Sequence, residues 1–282
     1  MSEKLDEPFE WEAEGAKAGL NPMFGDWQQR FGFPPVPYGD GGVKRSQFQA
    51  AIQAELKNQF YFSHDVQMEI LLYMDVQTIL ETSETADLDN YAKSILDGIK
   101  GPKGILLDDT QVQALSVSWQ DSYGRENAHF DIAIRASPDD FVLKPVEFFE
   151  MPDGLWYPNS KFVWNEGKSD GLSERDFYAG LFVLEAMSST KYKARHQLRK
   201  LGTNRLRAYQ TGKYVSPLAR GFHRGRLDNG FSRYTIDEWH SAFASWKKSN
   251  PSHFAGFEII LAGLKKTYEG MISILSGDKP GN

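Results

Sequence analysis

Cysteine is absent from the 282 residues. That excludes a disulfide framework, a Cys-ligated zinc and a thiol nucleophile, and it leaves the redox compartment open. Long apolar runs are absent as well. No segment approaches the roughly 18 consecutive apolar residues that a membrane span needs. The opening MSEKLDEPFEWEAEG is acidic, without the apolar core of a signal peptide or the acid-poor composition of a transit peptide. A soluble cytoplasmic protein with no membrane partner is expected. No glycine-rich phosphate-binding loop occurs, so no nucleotide cofactor is expected. The six histidines are scattered, without His-x-x-x-His spacing.

What is present is enough for a core. Hydrophobic residues make up 40% and aromatics 13%, which is not a disordered composition. The length suits two ordinary domains. The formal net charge of −6 argues against a polyanion partner, but the charge is unevenly spread. Residues 2–14 carry six acids against one lysine. From Ala186 to Leu227 there is no acid at all. Lys191, Lys193, Arg195, Arg199, Lys200, Arg205, Arg207, Lys213, Arg220, Arg224 and Arg226 supply eleven of the 32 basic residues there. Tyr192, Tyr209, Tyr214 and Phe222 are interleaved among them. Cations mixed with aromatics suit phosphate contacts and base stacking. The plainer alternative is a basic helical surface that meets the acidic leader or a protein.

Periodicity outlines the elements. Phe48, Ile52 and Leu56 mark an amphipathic helix, and Val66, Met68, Ile70, Leu72 and Met74 a strand. Leu88, Tyr91, Ile95 and Ile99 predict a helix over Asp87 to about Lys100, broken by GPKG. Leu115, Val117 and Trp119, then Phe130, Ile132 and Ile134, predict two strands joined as a hairpin through DSYGREN. The order helix, strand, helix, strand, strand describes a small α/β unit. SPDDF reads as a boundary, and helical patterns prevail beyond it. The expected organisation is an acidic leader over 1–30, an α/β domain over 31–137 and a basic, mostly helical domain over 138–282. SGDKPGN is expected to be a disordered tail.

The densest polar stretch is ADLDNYAKSILDG, followed by ILLDDTQV. Asp87 and Asp89 stand two residues apart at the start of a helix, where both carboxylates can converge on one point. Lys93 is one turn further on, on the face of Asp89. Asp108 and Asp109 open the strand that returns beside the helix. Gathered carboxylates repel each other. A hard divalent cation such as Mg²⁺ relieves that repulsion through oxygen ligands. A neighbouring lysine can hold a phosphate oxygen or stabilise a leaving group. The bland reading stays open: Asp87 as a helix cap, Asp89 with Lys93 as a surface ion pair, LDDT as a turn.

The pattern Asp87, Asp89, Asn90, Lys93, Asp97 and Asp108-Asp109, with Leu107 and Val112 in place, resembles the RusA family of Holliday-junction resolvases over about residues 30–136. FPPVPYG keeps Pro34, Pro35 and Tyr38 but has no asparagine, and ETSETA upstream is acidic through Glu81 and Glu84. The resemblance implies an α/β fold: a small mixed sheet with packed helices. It implies a homodimer that cuts branched DNA with Mg²⁺, or Mn²⁺ in its place. Asp87, Asp89 and Asp109 would hold the metal with Asp108 close by, and Lys93 would be the catalytic lysine. A bacterial or phage origin, near the nucleoid, goes with that implication. A catalytically idle DNA-binding or scaffolding protein is the alternative. A second nuclease outline, Pro152-Asp153 with Glu166-Gly167-Lys168, is weaker because NEGKSDG reads as a turn rather than a strand.

Overall fold

The alternation between Val66 and Met74 produces an inner strand of a five-stranded sheet. The computed structural model describes residues 10–11, 25–40, 42–83, 85–137, 140–165, 168–215, 220–254 and 257–276. Most of the expected acidic leader, the tail, Glu84, Pro138-Asp139 and Glu166-Gly167 lie outside these residues. The chain divides into two compact units, with the break after Lys144.

The first unit runs β1 (Glu10–Trp11), β2 (Gly25–Phe31), α1 (Gly42–Glu55), β3 (Phe60–Phe62), β4 (Val66–Met74), α2 (Val76–Glu81), α3 (Leu88–Ile99), β5 (Val112–Asp121), β6 (His129–Ala136) and β7 (Phe141–Leu143). Its main sheet has the order β1-β2-β6-β4-β5. β4 and β5 are parallel, and the other pairs are antiparallel. Val66, Met68, Ile70 and Leu72 are buried while Gln67 and Glu69 are exposed, as the alternation requires. Phe130, Ile132 and Ile134 of β6 are buried on that same face. α1 and α3 supply the other half of the core: Phe48 and Ile52 from one, Tyr91, Ile95 and Ile99 from the other. Burying such side chains contributes roughly 1.5–3 kcal/mol each. The two helices meet at Gly98, where an added Cβ would lie 2.7 Å from Ile52 Cδ1.

Two expectations change here. β5 and β6 do not form a hairpin. β4 lies between them, paired with β5 on one side and β6 on the other. The segment after β5, which includes Tyr123 at φ 54 and Gly124 at φ 131, carries the chain past β4. β5 becomes a β4-α2-α3-β5 crossover strand, the arrangement that parallel pairing demands. The first unit also runs past residue 137, because β7 pairs with β3 (Phe60 opposite Leu143). At its other end β2 begins at Gly25, inside the stretch read as leader, and is tied to β6 along its length.

The second unit is α/β in outline and helical in bulk. It runs β8 (Val146–Glu150), β9 (Trp156–Ser160), β10 (Phe162–Asn165), β11 (Lys168–Gly171), α4 (Glu174–Lys200), α5 (Arg205–Val215), β12 (Ser232–Tyr234), α6 (Ile236–Ser249), α7 (Pro251–Phe254) and α8 (Phe257–Ser276). The aromatic stretch from Trp156 to Asn165, within the region expected to be mostly helical, is strand. β8 is central, antiparallel to β9 and parallel to β12. Phe149, Met151, Tyr157, Phe177, Leu181 and Trp239 form the core over which α4 and α6 pack. Thr235 and Glu238 make a reciprocal capping box at the start of α6.

Candidate metal and nucleic-acid sites

Asp87 is the N-cap of α3, yet its side chain makes no capping hydrogen bond. Capping is therefore not what that carboxylate does. Asp87, Asp89 and Lys93 are all exposed. The loop before α1 is docked on this helix end by the Tyr38 N–H, which donates to the Asn90 carbonyl at 3.1 Å. The Tyr38 ring lies under two cations, Lys93 Nζ at 3.7 Å and the Arg45 guanidinium at 4.4 Å from its centroid. Lys93 is thus steered by an aromatic face rather than paired with Asp89. Arg45, from α1, brings a second positive group to this end of α3. A sequence scan misses it because 42 residues separate it from Asp87; the Pro-Pro loop ending at Tyr38 was the available signal. The helix start favours negative charge through the dipole, so two carboxylates and two cations share one surface. Just below it Tyr91 is buried, and burial pushes its phenol above the usual range.

The second acidic group sits at the far end of the helix. Lys100 follows α3 and binds Asp97 at 2.8 Å and Asp109 at 2.7 Å. Burial opposes the Lys100 charge, but the hydrogen bonds to Asp109 and Asp97 outweigh it and raise its pKa. Along α3, Asp97 lies about 12 Å from Asp89 at the helical rise. Within one chain Asp109 is therefore brought to Asp97 and Lys100, not to Asp87 and Asp89. Among the described residues, no three acidic or histidine side chains converge as a metal site. Asp108 is buried and employed elsewhere: it caps a 3-10 turn over Asp109–Gln111, accepting from the Thr110 N–H at 3.1 Å and from the Thr110 hydroxyl. Gln111 is fully buried and fully used. It accepts from the N–H groups of Leu107 and Asp108 and donates to the carbonyls of Phe62 and His64. The LDDT turn is thus bolted to the segment before β4, which fixes where Asp109 emerges.

Tertiary bonds hold the preceding loop too. Lys144 Nζ donates to the Gly104 carbonyl at 2.8 Å and lies 4.6 Å from the Tyr61 ring centroid, while the Tyr61 hydroxyl donates to the Pro102 carbonyl. Burial pushes Lys144 down to about 8. His129 is on β6, stacked against Tyr73, and joins neither acidic group.

Residues 43–135 match the family model described as Endodeoxyribonuclease RusA. Over that third of the chain the sequence is similar to this family. The match spans α1 to β6 and holds every acidic residue just described; the second unit lies outside it. No curated protein matches the chain.

The basic window beyond the RusA-like domain occupies α4, α5 and the segment after them. Lys193, Arg199, Lys200, Arg205, Arg207, Arg224 and Arg226 are exposed, and Lys191 and Arg220 are half-buried. The Lys213 side chain lies outside the described set. Arg195 turns inward: its guanidinium approaches the buried carboxylate of Asp153 at 3.9 Å and lies 5.0 Å from the Tyr209 centroid. Asp153 accepts from the Tyr157 hydroxyl at 2.6 Å and from the Leu155 N–H. Asp153, the first half of the rival nuclease outline, is thereby committed to holding β9 and α4. Burial, then the Asp153 charge, raises the Tyr157 phenol far above its usual range. Arg224 faces Trp156 and Arg220 faces Phe222, each under 6 Å from ring centroid to guanidinium.

Proposed function

We propose that this protein is a Mg²⁺-dependent, structure-selective DNA endonuclease that hydrolyses phosphodiesters in branched DNA, the Holliday junction first among them. The observation that carries the reading is the start of α3, where Asp87 and Asp89 present exposed carboxylates with no cap bond, one turn before Lys93. It lies in the segment that matches an endodeoxyribonuclease family. The donor set fits the ion. Mg²⁺ is bound through one or two carboxylates and completes its shell with water and phosphate oxygens. When bound, it supplies charge neutralisation and an activated water for in-line attack at phosphorus. Asp87 and Asp89 would hold it at the helix start. Lys93, kept extended over Tyr38, offers its ammonium to a non-bridging phosphate oxygen or to the leaving oxygen. Arg45 adds positive charge where the backbone approaches, which offsets the acidic segment upstream of α3. Asp109 would join the ligand set only by giving up Lys100.

The basic face of the second unit binds the DNA, and a homodimer supplies two incisions on opposite strands. The setting is the cytoplasm, where Mn²⁺ can replace Mg²⁺. Asp89→Asn should abolish cleavage of a four-way junction in Mg²⁺ while leaving its affinity for that junction unchanged. Equal cleavage by the variant and the parent would refute the assignment.

A second reading rests on the diversion of Asp109 to Lys100. If two carboxylates do not suffice, the RusA-like domain is a DNA-binding scaffold. Thermal unfolding separates the two: a metal site raises the midpoint with Mg²⁺ or Mn²⁺ concentration, and a scaffold shows no shift at millimolar metal.

A further inference from the structure

The turn between α4 and α5 is specified residue by residue. Gly202 adopts φ 85, and the Thr203 N–H donates to the Leu198 carbonyl, closing α4 with a Schellman motif. Asn204 then caps α5 by accepting from the Arg207 N–H at 2.9 Å. Ala194 of α4 and Ala208 of α5 are both buried. With the turn this firmly built, the apolar side chains near it could have been turned inward. Leu201 and Leu206 are instead 60% and 69% exposed. Arg199, Lys200, Arg205 and Arg207 flank them, all exposed, and no acid occurs between Ala186 and Leu227.

Two leucines presented between four cations form an apolar point on a polyanion-binding surface. The charge selects a phosphate backbone as partner. Apolar side chains that enter DNA do so between base steps, at an unstacking cost of a few kcal/mol per step in intact duplex. At a branch point the stack is already interrupted, so that cost largely disappears. We propose that the α4–α5 tip is a branch-seeking wedge. Leu201 and Leu206 enter the open centre of a branched DNA, and Arg199, Lys200, Arg205 and Arg207 hold the phosphates on either side. This rests on the reading of the basic window as the DNA surface. It adds a source of branch preference outside the RusA-like domain.

The test uses the full-length chain, in Mg²⁺-free buffer so that binding is read without cleavage. Affinities for a four-way junction and for a linear duplex of matched length are measured for the parent and for Leu201→Ser/Leu206→Ser. Both side chains are mostly exposed, so the thermal midpoint should be unchanged. The double variant should lose tenfold or more in junction affinity and less than twofold on linear duplex. The fluorescence of 2-aminopurine at the branch should rise with the parent and not with the variant. Equal losses on both substrates, or no loss on the junction, would overturn the wedge. Leucine-dependent binding to vesicles of anionic phospholipid without junction binding would overturn it too. A separate variant, Arg199→Ala/Lys200→Ala/Arg205→Ala/Arg207→Ala, tests the underlying reading. It should weaken both substrates alike and lower the salt slope by up to about 3–4. If it changes neither, the basic window is not the DNA surface, whatever the leucines do.

Discussion

Replacing Lys100 by Met would leave two carboxylates facing each other without their counter-ion. Asp97 and Asp109 each lie within 2.8 Å of the same Nζ, so their bonded oxygens stand at most about 5.5 Å apart. Two unit charges about 5 Å apart at an effective dielectric near 20 repel by about 3 kcal/mol. The side chains keep 24% and 32% of their surface in water, so screening lowers this to about 1–2 kcal/mol. Methionine retains most of the apolar stem, so the loss reports charge rather than packing. Native-state hydrogen exchange of the slowest α3 amides should show the destabilisation at pH 7. Asp97→Asn in the Lys100→Met background should restore most of the loss, because a neutral amide removes the repulsion. A penalty that Asp97→Asn leaves undiminished would show that Lys100 acts through packing. No penalty at all would show that Asp97 and Asp109 do not share it.

Three further outcomes follow from the same physical arguments. The Lys144 pKa of about 8 lies below its unfolded value near about 10.4. The unfolded chain therefore binds more protons between those values, and stability of the first unit should rise with pH from 8 to 10. Lys144→Met should flatten that rise in urea titrations. Above about 10 the trend reverses, because buried Tyr61 resists an ionisation that its unfolded form undergoes. Gly98→Ala and Gly104→Ala should differ sharply in chemical denaturation. The first gains about 1 kcal/mol of helix preference against a shift of Ile52 Cδ1. The second sets a Cβ 2.1 Å from the Ile99 carbonyl oxygen and should cost about 3 kcal/mol or more. Asp153→Asn should destabilise the second unit by about 1–3 kcal/mol, read by hydrogen exchange in β9, since it weakens the acceptor of Tyr157 and the partner of Arg195.

Much of the first unit is legible in the residue pattern because its signals are periodic. The buried stripe of α3 and the alternation of β4 and β6 follow from side-chain spacing alone. Pairing is different. DSYGREN looks like a hairpin turn, but nothing local reveals that β4 occupies the place beside β5; that depends on how α3 folds back over the sheet. The strands of the second unit are hidden for a related reason: β9, reading WYPNS, lacks alternation because four of its five residues are buried. At the candidate site, the identity of the acidic residues is plain in ADLDNYAKSILDG, and their grouping is not. Asp108 and Asp109 are neighbours in sequence, yet one caps a buried turn and the other pairs with Lys100. The i,i+3 relation of Asp97 and Lys100 was the readable hint. Tyr38 and Arg45, which set the cationic side of the α3 start, come from a loop and a helix that only tertiary folding brings there.

Cleavage assays on a panel of substrates test the central claim most directly. Four-way junction, fork, flap, linear duplex and single strand are each incubated with the parent, Asp87→Asn and Asp89→Asn, with Mg²⁺ or with chelator. The parent should nick the junction in preference to linear duplex, only with metal, and both variants should bind the junction without cutting it. A parent chain that binds the junction but cleaves no substrate in Mg²⁺ or Mn²⁺ would contradict the claim and leave the scaffold reading.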